Sequence, residues 1–380
     1  MAKLKTLKLV DFRNVRHCDL VLHPQFNFFY GLNGAGKTSL LEAVFLLCNN
    51  RSFRSHKLNY TIHSEAHENL VFALFESFSE SHINRLGVSR RKPSACELKL
   101  NGQAVKNSSV LARLLPSLAL QPSSFDLLLG PPSQRRSLLD WLVFHVKPSF
   151  HEAWKAYQRC LKQRNMLLRR DKLRDSELDQ WDLLLVEQAV LLEACRAEVA
   201  TDFANKLSSL LIDGAPALAD LSMSFRSGWP DFIWADQDRG EVQHMLLESL
   251  KQQRDRDRRQ GFTASGSHKF DLKFKLGKQA AAELLSRGQA KTLIVCLYLA
   301  LGLCFKDVHS FSPLYLLDDL ASELDGKHLD FLLAHLEQQA AQCFISTVHK
   351  ESYDSLKLIP ESRWFHVKHG TITAEEKFDE

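Results

Sequence analysis

A chain of 380 residues, 45% hydrophobic and 25% charged, is long enough for two domains and has the make-up of an ordinary globular protein. Its net charge of +4, from 49 basic and 45 acidic side chains, excludes a polycation, so any nucleic-acid contact has to come from a local patch. The eight cysteines show no CxxC or Cys/His ligand spacing, which argues against structural zinc and a disulfide framework and suits a reducing cytosol.

In chain order, Leu7, Leu9, Leu20 and Leu22 alternate with other residues on either side of Asp11-Phe12-Arg13-Asn14, predicting two strands and a turn. The apolar run 26–30 reads as a buried strand. Residues 39–47 carry Leu40, Leu41, Val44, Phe45 and Leu47 at helical spacing. Between them stands Gly31-Leu32-Asn33-Gly34-Ala35-Gly36-Lys37-Thr38, with Ser39 opening the helix. Strand, glycine-rich loop and helix in that order are the context of a phosphate-binding P-loop. Its glycines let successive backbone N–H groups turn inward, and the helix N-terminus adds partial positive charge aimed at the same anion. Lys37 is expected to reach the β- and γ-phosphates of a nucleoside triphosphate, and the Thr38 hydroxyl to take a place on Mg²⁺.

Residues 49–55, with Arg51 and Arg54, fit either a solvated connector or a nucleotide contact. Residues 70–105 predict further short strands, with a hairpin turn at Asn101-Gly102. Another apolar strand, 118–120, ends in Gln121-Pro122. The step from Gly130-Pro131-Pro132 into Arg135 and Arg136 predicts a helix start, and the two arginines alone read as solvated charge or phosphate contacts. From 148 to 211 there is no glycine. Stripes of Phe150, Trp154, Tyr157 and Leu161, and of Leu185, Ala189, Leu192, Cys195, Val199, Phe203 and Leu207, predict two long helices packed back to back across a charged turn at 169–175. The segment 254–259 alternates Arg and Asp and reads as an exposed helix face with a basic edge. Residues 261–268 mark a loop and a return to the first domain.

Leu285-Ser286-Arg287-Gly288-Gln289 leads a long apolar helix over 292–305, which is too short to span a bilayer. The motif is of the LSGGQ signature type, with arginine in place of the first glycine. A serine hydroxyl, a glycine and free helix N-terminal N–H groups there face an anion, which in the ABC-type ATPases that this signature resembles is the γ-phosphate held by a second subunit. Leu314-Tyr315-Leu316-Leu317-Asp318-Asp319 is an apolar strand ending in two acids, a Walker B. Asp318 is expected to hold the Mg²⁺ through water and Asp319 to orient or deprotonate the attacking water, with Lys37 in support. About 280 residues separate Lys37 from Asp318, and the signature sits just before Walker B. That order describes an α/β fold: an ABC-type ATPase head with a mixed sheet, interrupted by a mostly helical domain. The expected divisions are 1–124 and 262–380 for the head and 125–261 for the insert.

These motifs together resemble the RecF family of bacterial recombination-repair ATPases related to SMC proteins. The resemblance is carried by Asp11–Asn14, the P-loop with Leu41-Glu42-Ala43, Arg51-Ser52-Phe53-Arg54, residues 130–140, Lys162-Gln163-Arg164-Asn165, residues 261–268, Ser286-Arg287-Gly288-Gln289 and residues 318–325. It implies a slow, DNA-stimulated ATPase that uses ATP and Mg²⁺ and dimerises on ATP. It implies a clamp at single-strand gaps in DNA, serving DNA replication, repair and the SOS response. RecR and RecO are the implied partners, and RecA the protein loaded. Ser286, Arg287, Gly288 and Gln289 become cofactor-binding candidates. Gln121 matches the glutamine-loop position, a candidate for both catalysis and the metal, and the switch position falls on Thr347 or His349. A transporter's nucleotide-binding subunit is the rival reading, disfavoured by the long helical insert. A full SMC protein is excluded by the short insert without a CxxC at its tip. The start of the chain shows no signal-peptide core, so the cytoplasm, with no membrane association, is expected.

Overall fold

The computed structural model describes residues 3–76, 82–170, 174–230, 232, 238–353 and 361–375, so the middle of the charged turn at 169–175 lies outside it. The chain divides into two compact units, Met1–Phe125 with Lys291–Glu380, and Asp126–Ala290.

The first unit, the head, is built on two sheets with a helix between them. Strands β1 (Lys3–Phe12) and β2 (Val15–Val21) form the predicted hairpin. With β4 (Glu68–Glu76), β5 (Ile83–Arg91), β6 (Ala95–Leu100) and β7 (Gln103–Ala104), they make an antiparallel sheet ordered β2-β1-β4-β5-β6-β7. Strict alternation would put Leu4 and Leu7 on opposite faces. A register shift between Leu4 and Thr6 against β4 turns both into the core. The Asn101-Gly102 turn has positive φ at both positions, 51° and 84°, the two-residue turn whose twist matches its strands.

The second sheet runs β15-β14-β3-β13-β12-β8. Its members are β3 (Phe26–Tyr30), β8 (Ser117–Leu120), β12 (Leu314–Leu317), β13 (Cys343–Thr347), β14 (Ser362–Lys368) and β15 (Thr371–Ala374). All but β15 are parallel. Strands covered on both faces are apolar throughout, as in the fully buried Leu314–Leu317. Helix α1 (Lys37–Asn49) supplies the cover: Leu40, Leu41, Ala43, Val44, Leu46 and Leu47 are buried in one core with Leu7, Leu9 and Val71 of the first sheet and Phe29, Leu316 and Phe344 of the second. Gln342 ties the sheets together, its amide exchanging two 2.8 Å hydrogen bonds with the backbone of Leu4. Helix α2 (Ser108–Leu114), capped by Asn107, and helix α9 (Gly326–Gln338), capped by Asp325, complete the head.

The second unit contains α3 (Pro132–Val146), α4 (Phe150–Leu167), α5 (Asp175–Gly214), α6 (Arg239–Gln260) and α7 (Ala281–Leu284), with a small antiparallel sheet ordered β11-β10-β9. Those strands are β9 (Leu221–Arg226), β10 (Asp271–Leu276) and β11 (Gln279–Ala280). The expected return to the head at 262 is therefore too early. β10 pairs along its whole length with β9, which keeps the chain in the insert until Ala290. Helix α8 (Arg287–His309) follows. It extends the 292–305 run at both ends and is long and apolar enough to cross a membrane by length and composition, yet 67% of its most apolar window is buried within the protein.

The insert is held by buried ion pairs that sequence spacing did not reveal. Arg164, fully buried on α4, meets Asp182 of α5 and Asp257 of α6, each at 2.6 Å. The expected basic edge at 254–259 is largely spent in the same way. Arg254 pairs with Asp179 and Asp182, and Arg258 with Asp175, which leaves Arg256 and Arg259 exposed. Arg135 is also buried, donating to Asp271 and to three backbone carbonyls; it is not a surface phosphate contact.

Candidate nucleotide-binding site

In a parallel sheet, the C-terminal ends of the strands share one edge, and ligands bind in the crevice outside it. β3 ends there in the P-loop and β12 in Asp318-Asp319, with β13 between them. The P-loop backbone requires its glycines. Gly31 has φ 148°, and a Cβ there would lie 2.2 Å from the Val367 carbonyl oxygen. Gly36 has φ 123°, and a Cβ would press to 2.9 Å on the Asn14 amide. That amide belongs to the turn between β1 and β2. It donates to the Ala35 carbonyl at 3.0 Å and accepts from the Ser39 hydroxyl at 2.9 Å, so the Asp11–Asn14 turn clasps the loop.

These elements border a cavity of about 820 Å³ lined by Asn33, Gly34, Gly36, Lys37, Thr38, Ser39, Asp318 and Asp319. Lys37 is buried, and its ammonium donates to the Gly31 and Leu32 carbonyls at 2.6 and 3.1 Å. Burial pulls its pKa below the usual lysine value, against the opposing pull of Asp319 and Asp318. The Thr38 hydroxyl donates to Asp318 Oδ1 at 3.0 Å. Asp318 is nine-tenths buried at the end of β12. Asp319 lies in the left-handed region at φ 50°, which turns the chain sharply away from the strand.

Ser346 was not among the residues picked from the sequence. Its hydroxyl donates to Asp318 Oδ1 at 2.6 Å and accepts from the Asp319 backbone N–H at 2.9 Å. The strand order gives the reason, since the end of β13 must lie between the P-loop and the paired acids. The strand pattern 343–347 carried that signal, but only once its place beside β12 was known. Thr347 is buried with its hydroxyl on the His349 carbonyl at 3.0 Å, and neither residue lines the cavity.

The cavity is also lined by Arg13 of the predicted turn and Arg54 of the 49–55 segment, with Asn59, Tyr60, Ile62, His63 and Lys92, which no motif marks. One buried carboxylate holds both arginines. Glu42, on α1, accepts two hydrogen bonds from Arg13 at 2.9 and 2.6 Å, a third from Ser52, and lies 3.7 Å from Arg54. Arg54 of the 49–55 segment thus lines the cavity, while Arg51 does not. Glu42→Ala should release Arg13 and Arg54 and lower ATP affinity about fivefold, on the order of 1 kcal/mol. Titration with a fluorescent ATP analogue checks this, and unchanged affinity would mean that neither arginine reaches the nucleotide.

Gln121 is not among the lining residues. It follows β8, the strand beside β12, and the carbonyl of Leu120 just before it accepts from the Asp318 N–H at 2.9 Å. Its backbone N–H donates to the Ser124 hydroxyl at 3.2 Å. The signature forms a capping box. The Ser286 N–H donates to Gln289 Oε1 at 2.9 Å, and the Ser286 hydroxyl accepts from the Gln289 N–H at 3.3 Å, its own hydrogen remaining available.

The family model described as the RecF/RecN/SMC N terminal domain matches residues 3–371. A protein of Teredinibacter turnerae named DNA replication and repair protein RecF is 38% identical over 380 residues, covering 98% of this chain and 96% of its own length. The chain belongs to the RecF family. A RecF of Saccharophagus degradans is 37% identical over 99% of this chain. A solved structure of the recombination mediator protein RecF in the RecFOR pathway, as RecF-ATP, matches the fold with a TM-score of 0.87 at 22% identity over 99% of this chain. The mixed α/β head of the SMC and RecF type with a helical insertion is thus the fold expected from the motifs, and the transporter-subunit reading gives way to RecF.

Proposed function

We propose that this chain is an ATP-dependent recombination mediator that binds DNA at single-strand gaps, and that slow ATP hydrolysis resets it. The observation that carries the reading is the convergence of Lys37, Thr38, Asp318 and Asp319 on one cavity beside a P-loop. The donor set fits ATP with Mg²⁺. A threonine hydroxyl and one buried carboxylate oxygen, 3.0 Å apart, are hard ligands of the kind that leave most of the octahedron to phosphate and water. Among the described residues no group of three or more His, Cys, Asp or Glu offers a rival metal cage. The metal would neutralise phosphate charge. Lys37 would exchange its two carbonyl partners for phosphate oxygens, and Asp319 would orient or deprotonate the attacking water. Ser346 bonds to both Asp318 and the Asp319 backbone, which ties the positions of the two acids to one side chain.

The Ser286–Gln289 capping box is assigned to the γ-phosphate of a second copy, which makes the ATP-bound form a homodimer. RecR and RecO are its partners on this reading, and RecA the protein loaded. Duplex DNA contact is assigned to the exposed Arg256 and Arg259 of α6, which a dimer doubles. ATP should therefore double the mass in solution, tighten DNA binding and steepen its dependence on log salt, by roughly 0.9 per added phosphate contact on duplex. Ser286→Arg should bind ATP normally and lose all three effects. Light scattering and fluorescence anisotropy over a salt series check this. A mutant that keeps the full ATP response would overturn the dimeric clamp.

A further inference from the structure

The stretches 130–140 and 261–268, which the nucleotide site does not use, meet in the insert around a cavity of about 270 Å³. Its floor is a buried charge cluster in which Arg196 faces Asp140 and, at 3.6 Å, Glu193. Buried Arg196 holds Asp140 through two parallel hydrogen bonds of 2.9 and 3.0 Å and donates to the Ser267 carbonyl at 2.9 Å. The Tyr157 hydroxyl and His268 Nδ1 are 2.9 Å apart, and His268 Nε2 is 3.1 Å from the Thr263 carbonyl, which assigns the ring proton to Nε2. Burial pushes the His268 pKa down to about 4, so the ring is neutral at pH 7.

The rest of the lining is not satisfied from within. Arg136 donates one nitrogen to the Phe270 carbonyl and, among the described residues, makes no ion pair. Burial and the neighbouring Arg196 lower its pKa against the opposing pull of Asp140 and Asp271, and the half-buried guanidinium lines the cavity. Trp154, 38% exposed, and Gln158 stand one turn apart on α4. Neither the indole N–H nor the Gln158 amide has a partner among the described residues, and the exposed Ser133 hydroxyl is equally unused.

A cation and a hydroxyl beside an accessible indole and an unspent amide match one nucleotide. Phosphate meets the guanidinium, the base stacks on the ring, and the base edge meets the amide. The volume lies just under the roughly 300 Å³ at which drug-sized ligand pockets begin, enough for one unit and no more. A duplex keeps its bases stacked and cannot enter. We propose that this cavity captures one unstacked nucleotide of single-stranded DNA. The proposal rests on the DNA-binding reading above.

The test uses the full chain and a labelled oligo(dT), read by anisotropy, with duplex affinity and ATP affinity measured beside it. Trp154→Ala should weaken single-strand binding about tenfold without changing the salt slope, the size expected of one base–aromatic stack. Arg136→Gln should weaken it and make the log–log salt slope shallower by about 0.7, one single-strand phosphate. An oligonucleotide of abasic sites should bind wild type and Trp154→Ala alike. Both variants should keep wild-type duplex and ATP affinity, which also shows that they fold. Single-strand binding unaffected by either substitution overturns the proposal, as does dTMP binding as tightly as the oligomer. If duplex binding persists in those cases, the DNA-binding reading survives. Loss of all DNA binding by wild type overturns both.

Discussion

Arg164→Leu should destabilise the inserted unit by about 3–5 kcal/mol, the range for removing one partner of a buried ion pair. The guanidinium is fully buried, bonded to Asp182 and Asp257 at 2.6 Å and to the Thr263 hydroxyl at 2.8 Å. Without it the two carboxylates do not suffer equally. Asp182 keeps Arg254, whose Nη2 lies 2.7 Å away, whereas among the described residues Asp257 keeps only the Ala264 N–H at 2.9 Å. The larger part of the loss therefore falls on Asp257, and Arg164→Leu combined with Asp257→Leu should recover much of it. Arg164→Lys should sit between, because one ammonium cannot span three acceptors held by three separate segments. Denaturant unfolding of the four proteins measures the ladder. A loss below 1 kcal/mol for Arg164→Leu would mean that water reaches Asp257.

The reason these charges could not be read in advance is geometric. Helical spacing gives each helix its apolar stripe, and Tyr157, Leu161, Leu185 and Ala189 are indeed buried as their periodicity implies. It does not say which charged residue beside the stripe will face another helix. Arg164, Asp182 and Asp257 lie 18 and 75 residues apart along the chain, and nothing local marks them as partners. The same limit hid Ser346 and Glu42, which act through tertiary neighbours. The P-loop and paired acids were legible because their chemistry is written locally: glycines where backbone must approach a phosphate, acids where an apolar strand ends. Gln121 lies between these cases: it follows the apolar strand beside β12, next to the Leu120 carbonyl that accepts from the Asp318 N–H at 2.9 Å, yet it does not line the cavity.

Asp319→Asn should bind ATP with near wild-type affinity and hydrolyse it roughly 100- to 10,000-fold more slowly, the usual weight of a lost general base. Asparagine is the informative replacement. Asp319 occupies φ 50° and ψ 40°, a conformation asparagine tolerates as readily as aspartate, so the backbone turn and its 2.9 Å hydrogen bond to Ser346 survive. Alanine there would add backbone strain and confuse the two effects. Asp318→Asn changes something different. Asp318 Oδ1 accepts from both Thr38 and Ser346, at 3.0 and 2.6 Å, and an amide offers one acceptor oxygen without the charge. Magnesium-dependent ATP affinity should fall in that variant, while affinity measured in EDTA should hardly change. Lys37→Met removes the ammonium itself and should weaken binding with or without the metal, at roughly 1.5–3 kcal/mol for a charge-assisted contact. Binding titrations with and without Mg²⁺, alongside steady-state turnover, separate the three variants. If Asp318→Asn and Asp319→Asn behave alike in both assays, the two acids share one task, and the link through Ser346 has joined their roles as well as their positions.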